Sequence, residues 1–575
     1  MKKTWIISLP LQAVVGLTLY ACNSGGGSGD SDDPQTSAST SGMDMDLTSK
    51  LLVNEAAYIP SQCYTKTIDS QEQVHNPCYS CHIPTEEPNY LNDSDLQISY
   101  SFADYANTNQ WINLFTDRSQ AVAAISDQEI LDYVRGDNYL DAQGRIILAQ
   151  TLETLPTGWD YDEDGDWDGY TPDCYLNFND EGFDVDPQGN LTGWRAFGYA
   201  PFLGTFWPTN GSTDDVFIRL PTVLRNDIDG NFDLQTYKVN LAIVEAIIKR
   251  QDVELEESYT ENGVDLDKDG NLYGTATQVV YDWAPLEGRY MYFVGQGKVA
   301  QDAGEIHLAG SLYPEGTEFL HSVRYIDLDN DDEIKLAARM KELRYAKKQS
   351  WLTYSDLQDI TAAELKEKHD FPDRLKQVIG NVEQGVTTGK GWVYQGFIED
   401  ADGALRPQTY EENVFCVGCH GGIGGTTDTI FSFSRKFTDS AFRHGWYHWS
   451  QKGLRNQPES IRHDGNYEYS YYLQQNGAGD EFRANQEVMD KFFDEEGQIK
   501  TEELEILHDD MAHLLFPSRE RALLLNKAYK VIVEEQGFVF GRDATVTPPE
   551  NVHESVTPDQ ATGVTLILTG PESDS

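Results

Sequence analysis

Cys78-Tyr79-Ser80-Cys81-His82 and Cys416-Val417-Gly418-Cys419-His420 are the stretches on which the organisation of this 575-residue chain turns. Each carries two thiols two residues apart and a histidine directly after the second. That spacing lets two thiols reach the two vinyl groups of one porphyrin as thioethers, while the adjacent imidazole swings beneath the ring toward iron. With 7 Cys and 12 His in 575 positions, only about 0.002 such units arise by chance. Other uses of the thiols fit less well. Paired zinc motifs stand roughly 15–20 residues apart, whereas more than 300 residues separate these two. A redox dithiol or a set of disulfides gives no reason for a histidine to follow twice. The expectation is two haem c groups, attached at Cys78 and Cys81 and at Cys416 and Cys419, with His82 and His420 as the iron ligands below the rings.

The sixth iron position separates an electron carrier from a catalyst. His75 lies three residues before Cys78 and is a candidate distal ligand, because in multihaem cytochromes a histidine just upstream of one motif often reaches another haem. His444 and His448 stand four apart among Phe442, Trp446, Tyr447 and Trp449, on one face if that segment is helical. His463 is a further candidate, with His508 and His513 behind it on a segment, Glu502 to Phe516, that reads as an amphipathic helix. His307, His321, His369 and His553 have no supporting context and read as structural. The run Gly421-Gly422-Ile423-Gly424-Gly425 lets backbone pass close to a flat ring without Cβ clashes.

The first residues have a cationic head, Met1-Lys2-Lys3, and an apolar run from Trp5 to Tyr20 broken by Pro10 and Gln12. This is an export signal rather than a membrane span. Leu19-Tyr20-Ala21-Cys22 resembles the lipobox of bacterial lipoproteins, which implies lipidation of Cys22 as the new N-terminus. Residues 22–46 then read as a flexible Gly/Ser/Asp/Thr tether. Asn23 rather than Asp after the lipidated residue favours the outer membrane over the inner.

Lys and Arg number 43 against 95 Asp and Glu, a net charge of −52. Nucleic acid is thereby excluded as a partner, since neutralising phosphates needs a basic surface. Redox partners with basic patches suit such a field, and an acidic surface is equally an adaptation to a saline medium.

Asp160, Asp162, Asp164, Asp166 and Asp168, with Gly165, follow a D-x-D-x-D-G-x-x-D pattern that resembles the calcium loops of EF-hand and thrombospondin-type repeats. Thr171 stands where an EF-hand has its bidentate glutamate, so calcium is a candidate without the EF-hand fold. Asp265-Leu266-Asp267-Lys268-Asp269-Gly270-Asn271 is a partial copy and reads as a turn, as do Asp327 to Asp331 and Asn226 to Asn231. Cys63 and Cys174 are left over, and pairing as a disulfide is the economical expectation in an oxidising compartment.

The fold class expected is α+β: a haem-bearing, loop-rich body with a turn- and strand-rich middle and a mainly helical C-terminal part. In order along the chain come a signal peptide (1–21), the tether (22–46), a first haem region (47–150), a strand and turn region with the Asp-rich loops (151–345), a mainly helical second haem domain (346–541) and a loosely held polar tail (542–575). Helices are expected at Asp127 to Tyr133, Gly144 to Leu152, Tyr237 to Arg250, Asp332 to Lys348, Thr361 to His369 with Thr361 as N-cap, Asp373 to Asn381 and Ser518 to Gln536. The aromatic stretch Trp194 to Pro221 reads as core. Together these features resemble the multihaem c-type lipoprotein cytochromes of Gram-negative bacteria, which implies electron transfer at the cell envelope. The alternatives are a dihaem peroxidase- or oxygenase-type enzyme with one open iron, and a surface scaffold or binding module.

Overall fold

The longest backbone pairing is a hairpin of two strands, Glu318–Leu328 and Ile334–Lys348, around which the computed structural model is built. The structure describes residues 45–568 apart from 69–71, 73, 85, 86, 90, 91, 206, 438–440, 463, 477–484 and 566. The described residues form one compact unit. In chain order the strands are β1 (Thr67–Ile68), β2 (Val74–His75), β3 (Phe183–Val185), β4 (Leu191–Phe197), β5 (Thr213–Arg219), β6 (Val253–Thr260), β7 (Thr275–Val279), β8 (Glu318–Leu328), β9 (Ile334–Lys348), β10 (Ile379–Asn381), β11 (Gly385–Thr387), β12 (Trp392–Glu399) and β13 (Leu405–Pro407). Nine of them make one antiparallel sheet in the order β10-β11-β12-β9-β8-β5-β4-β3, with β13 on β12. β1 and β2 pair with each other, as do β6 and β7.

The described helices are α1 (Ser119–Ala124), α2 (Asp127–Arg135), α3 (Ile147–Leu152), α4 (Leu234–Lys249), α5 (Gln296–Ala303), α6 (Tyr354–Asp370), α7 (Tyr410–His420), α8 (Glu468–Asn476), α9 (Gln486–Phe492), α10 (Thr501–Asp509), α11 (Ala512–Leu515) and α12 (Arg519–Glu535). The α+β class and the helices α2, α3, α4 and α12 match the sequence expectation, although α12 begins at Arg519 with Ser518 as its N-cap rather than its first residue.

Four helical expectations are corrected. Asp332 to Lys348 is strand β9, not helix. Its Ala, Arg, Met, Lys and Glu are good helix formers, but propensity differences of a few tenths of a kcal/mol per residue are outweighed by pairing with β8 on one edge and β12 on the other. Asp373 to Asn381 forms a turn after Pro372 and then β10. The helix expected to begin at Thr361 begins at Tyr354, with Thr353 and Asp356 forming the capping box and Thr361 buried inside it. Glu502 to Phe516 is not continuous either: α10 ends at Asp510, whose side chain then accepts the Ala512 N–H and opens α11.

The C-terminal segment is not a loose tail. Val552, Ser555 and Ala561 bridge to Thr65, Thr108 and Ser99 near the start of the described chain, and Ala544, Asn551, Val556 and Thr562 are buried. Its polar composition conceals backbone pairing, which no hydropathy pattern records.

Candidate functional site

Pro77 opens a single 3-10 turn over Pro77–Ser80, where its missing N–H costs nothing. The Cys81 and His82 N–H groups both donate to the Cys78 carbonyl, at 3.1 and 2.9 Å, which turns the two thiols and the imidazole toward one side. The second motif is built differently. Thr409 and Glu412 cap α7, and the i, i+3 and i+4 spacing of Cys416, Cys419 and His420 sets them on one face of its last turn.

The two motifs meet. The Gly425 N–H donates to the Cys81 carbonyl at 2.8 Å, and a Cβ on Gly424 would lie 2.1 Å from the Ile83 carbonyl oxygen. The glycine run therefore passes against the backbone of the first motif, which is a correction: close approach to backbone, not to a porphyrin face, is what requires Gly424. Between the motifs lies a cavity of about 990 Å³, lined by Cys63, Cys78, Cys81, His82, Cys419, Phe102, Trp111, Phe202, Trp207, Phe415, Lys341, Arg344 and Arg542 among others. Ligand pockets span about 300–1,000 Å³, so this one has room for a large planar group or a pair of them.

Both motif histidines are held by Nδ1. His82 Nδ1 lies 2.6 Å from Asp93 Oδ2, and its carbonyl accepts from Gln97 Nε2 at 2.5 Å. His420 Nδ1 lies 2.6 Å from the Thr429 carbonyl, with its ring stacked on Tyr394 at 4.6 Å. An acceptor at Nδ1 makes that nitrogen the N–H donor and leaves the Nε2 lone pair for a metal. Burial lowers the His420 pKa to about 4, with the positive charges of Arg344 and His321 acting in the same direction, so the ring stays neutral. Burial likewise pushes the thiols up, to about 12 at Cys78 and about 11 at Cys419.

The cavity wall carries cations that an anionic ligand would need. Burial pushes the Glu342 carboxyl upward, but Arg344 and Arg542 outweigh it and hold the group at about 2. Glu342 Oε2 is 2.9 Å from Arg344 Nε and 3.0 Å from Arg542 Nη1. Arg542 Nε is buried without a hydrogen-bond partner. Lys341 donates to the Gly211 carbonyl at 2.6 Å. Thiols, metal-competent imidazoles, aromatic walls and partly buried guanidinium groups fit the covalent attachment, axial ligation and propionates of haem c.

The distal candidates are not gathered here. His75 sits on β2 opposite Thr67, and the cavity wall takes in its neighbours Asn76 and Pro77 rather than His75 itself. The His444 segment is not helical: Arg443 and His444 have φ of 47° and 54°, so His444 and His448 share no face. His444 lines a small pocket with Arg195, Glu245 and Trp446. His448 is a core residue, stacked on Phe178 with its Nε2 2.9 Å from Asp215. His463 lies outside the described residues. His508 stacks on Tyr467, and His513 lies 2.6 Å from Glu503.

Cys63 and Cys174 are not bonded to each other. Cys174 is buried in the core cluster that contains Tyr139 and Trp194, whereas Cys63 lies on the cavity wall with the motif thiols. Sequence reading also missed two residues at the site. His321, taken as structural, pairs across the sheet with Arg344 and lies 2.9 Å from Asp214, near Trp207 and His420. Arg344 itself had no local signal; only the β8–β9 register brings the two together. The aromatic stretch is divided, with Trp194 and Phe197 in the core and Phe202 and Trp207 on the cavity.

In the Asp-rich loop, Asp160, Asp162 and Asp164 bring carboxylate oxygens within 4.8 Å of one another, without Asp166 or Asp168. Glu383, from the β10–β11 turn, reaches in and accepts from the Tyr161 N–H. Burial raises the Glu383 pKa, and Asp162 and Asp160 add to the rise. Nothing in the local sequence pointed to Glu383.

No helix among the described residues is long and apolar enough to cross a membrane, and Cys22 lies outside them. No solved structure matches the chain. It is 31% identical to an "Uncharacterized lipoprotein" of Aquifex aeolicus (strain VF5) over 596 aligned positions, covering 94% of this chain and 92% of that one. A family described as "-like lipoprotein" matches residues 47–512. With the signal and lipobox ahead of the matched region, the chain belongs to this lipoprotein family and is a lipid-anchored protein of the cell envelope.

Proposed function

We propose that this lipoprotein is a dihaem c-type cytochrome that passes electrons at the cell envelope. The observation that carries the reading is that two Cys-x-x-Cys-His units, far apart in sequence, meet at one cavity with both histidines anchored through Nδ1. Haem c, when bound, supplies one-electron ferrous–ferric chemistry. The chain does the rest. Cys78, Cys81, Cys416 and Cys419 attach the groups, and Asp93 and Thr429 hold His82 and His420 in the ligating tautomer. Lys341, Arg344 and Arg542 receive the carboxylates. The net charge of −52 favours redox partners with basic patches, and Asn23 favours the outer membrane.

A second reading has its own support. His82 is the one histidine among the described residues lining the cavity, which favours an iron with an open position and an enzyme of the peroxidase or oxygenase type. Calcium at Asp160, Asp162 and Asp164 would pin a long loop and take no part in the chemistry.

The test is haem content and spin state of the purified protein. Two haems per chain by pyridine haemochrome assay are expected, with one lost in His82→Ala and one in His420→Ala. Low-spin ferric EPR signals from both irons support the carrier and a high-spin iron supports the enzyme. A protein exported with intact haem-maturation machinery that carries no covalent haem refutes both and leaves the surface-module reading.

A further inference from the structure

The loop joining β6 to β7 holds an arrangement that the mechanism does not use. Glu261, directly after β6, is 2% exposed. Its Oε1 accepts the Leu266 N–H at 2.6 Å, while its Oε2 is buried with no hydrogen-bond partner. Asp265 repeats the pattern: Oδ2 accepts the Gly270 N–H at 3.1 Å and Oδ1 is buried without a partner. Carboxylate oxygens of Glu261, Asp265 and Asp267 lie within 4.8 Å of one another. Among the described residues no Lys, Arg or His forms an ion pair with any of the three, and the nearby Lys268 ammonium is turned away to the Tyr290 carbonyl at 2.9 Å. Three carboxylates converging in a partly buried site, two of them with oxygens that no donor satisfies, are costly unless a cation completes them.

The direction of Glu261 is fixed by its neighbours. A Cβ on Gly274 would lie 2.9 Å from Glu261 Oε2 and 3.0 Å from Asn271 Nδ2, so the free oxygen points into the loop beside the Asn271 amide. We infer that Glu261, Asp265 and Asp267 form a calcium site, with Glu261 entering from the strand before the loop instead of from the twelfth position after it. The oxygen-only donor set and its irregular spacing suit calcium better than the octahedral demands of magnesium. The Asp160 loop follows the same plan. Its Gly165 N–H donates to Asp160 at 2.9 Å as Gly270 does to Asp265, and a buried glutamate, Glu383, also reaches it from outside. A cation here fastens the β6–β7 hairpin, whose Val264 and Leu266 are buried in the same core cluster as α4.

The experiment counts calcium on the full chain after chelator treatment, by calorimetric titration with Ca²⁺ alone, and maps Ca²⁺-dependent protection of residues 261–274 by hydrogen exchange. Asp267→Asn and Glu261→Gln, both near-isosteric, are each expected to remove one equivalent of Ca²⁺, or weaken it at least tenfold, and to abolish protection of this loop. Asp162→Asn should leave that protection intact. Stoichiometry, affinity and loop protection unchanged in both Asp267→Asn and Glu261→Gln would overturn the site, as would a parent protein whose loop gains no protection from Ca²⁺. Neither readout involves haem.

Discussion

Lys348→Met tests whether the second motif is held by the sheet. Lys348 Nζ donates to both oxygens of Asp428, at 2.8 and 2.9 Å, and both side chains are essentially inaccessible. Removing the ammonium leaves Asp428 the Tyr313 N–H at 3.0 Å and the neighbouring Trp392 indole, with no cation. Burial already raises the Asp428 pKa against the pull of Lys348, so the orphaned carboxyl must protonate or be solvated at the expense of the fold. Breaking one partner of a buried pair costs about 3–5 kcal/mol. The effect is local to the site, because Asp428 and Thr429 have φ of 48° and 63°, each a left-handed conformation costing about 1–3 kcal/mol outside glycine, and the Thr429 carbonyl is what holds His420. Equilibrium urea unfolding of Lys348→Met should show that loss, and Lys348→Met with Asp428→Asn should regain at least 1 kcal/mol of it, as coupled neighbours do at about 0.5–3 kcal/mol. A single variant within about 1 kcal/mol of the parent, or a double variant no better than the single, would refute the reasoning.

Two further perturbations probe different parts of the molecule. Gly424→Ala places a Cβ 2.1 Å from the Ile83 carbonyl, forcing the two motifs apart. Its melting temperature should fall and the hydrogen exchange of Gly425 should rise, and an unchanged Gly425 amide would count against the junction. Burial pushes the Glu459 carboxyl up to about 7 although the Ser470 N–H and Oγ both donate to it. An unfolded glutamate titrates near pH 4.3, so the folded state holds the proton more tightly, and the resulting stability, about 3–4 kcal/mol, is complete below about pH 4 and lost as pH rises through 7. Glu459→Gln should flatten the fall in stability between pH 5 and 7; identical slopes for variant and parent would dismiss the assignment.

The legible part of this protein is the part written in short-range spacing. The Cys-x-x-Cys-His units and the first three acids of the Asp160 loop each occupy fewer than a dozen consecutive residues, and their geometry follows from local backbone. What escaped was long-range. β9 reads as helix because its residues favour helix singly, and only two neighbouring strands, one contributed by residues 392–399, make it extended. Glu383 reaches the Asp160 loop, and His321 reaches Arg344, through a sheet register that no window of sequence contains. Glu261 was overlooked for a related reason. An EF-hand template places its glutamate at the end of the loop, whereas Glu261 precedes Asp265.

Charge gives the two halves of the functional reading one physical basis. The chain carries more than two acids for every base, yet the cavity wall holds Lys341, Arg344, Lys368, Arg374, Lys376 and Arg542 against Asp93, Asp95, Glu342, Glu364, Glu367, Asp543 and Asp559, close to balance. Cations scarce elsewhere are concentrated where an anionic ligand would be bound, and one of them, Lys341, is buried, so solvent does not screen it. An acidic exterior around a near-neutral interior keeps free anions from the cavity mouth and draws basic partners to the surface. Noncovalent capture of a diffusing anion would have to work against that field, and only the balanced charge of the wall itself offsets it.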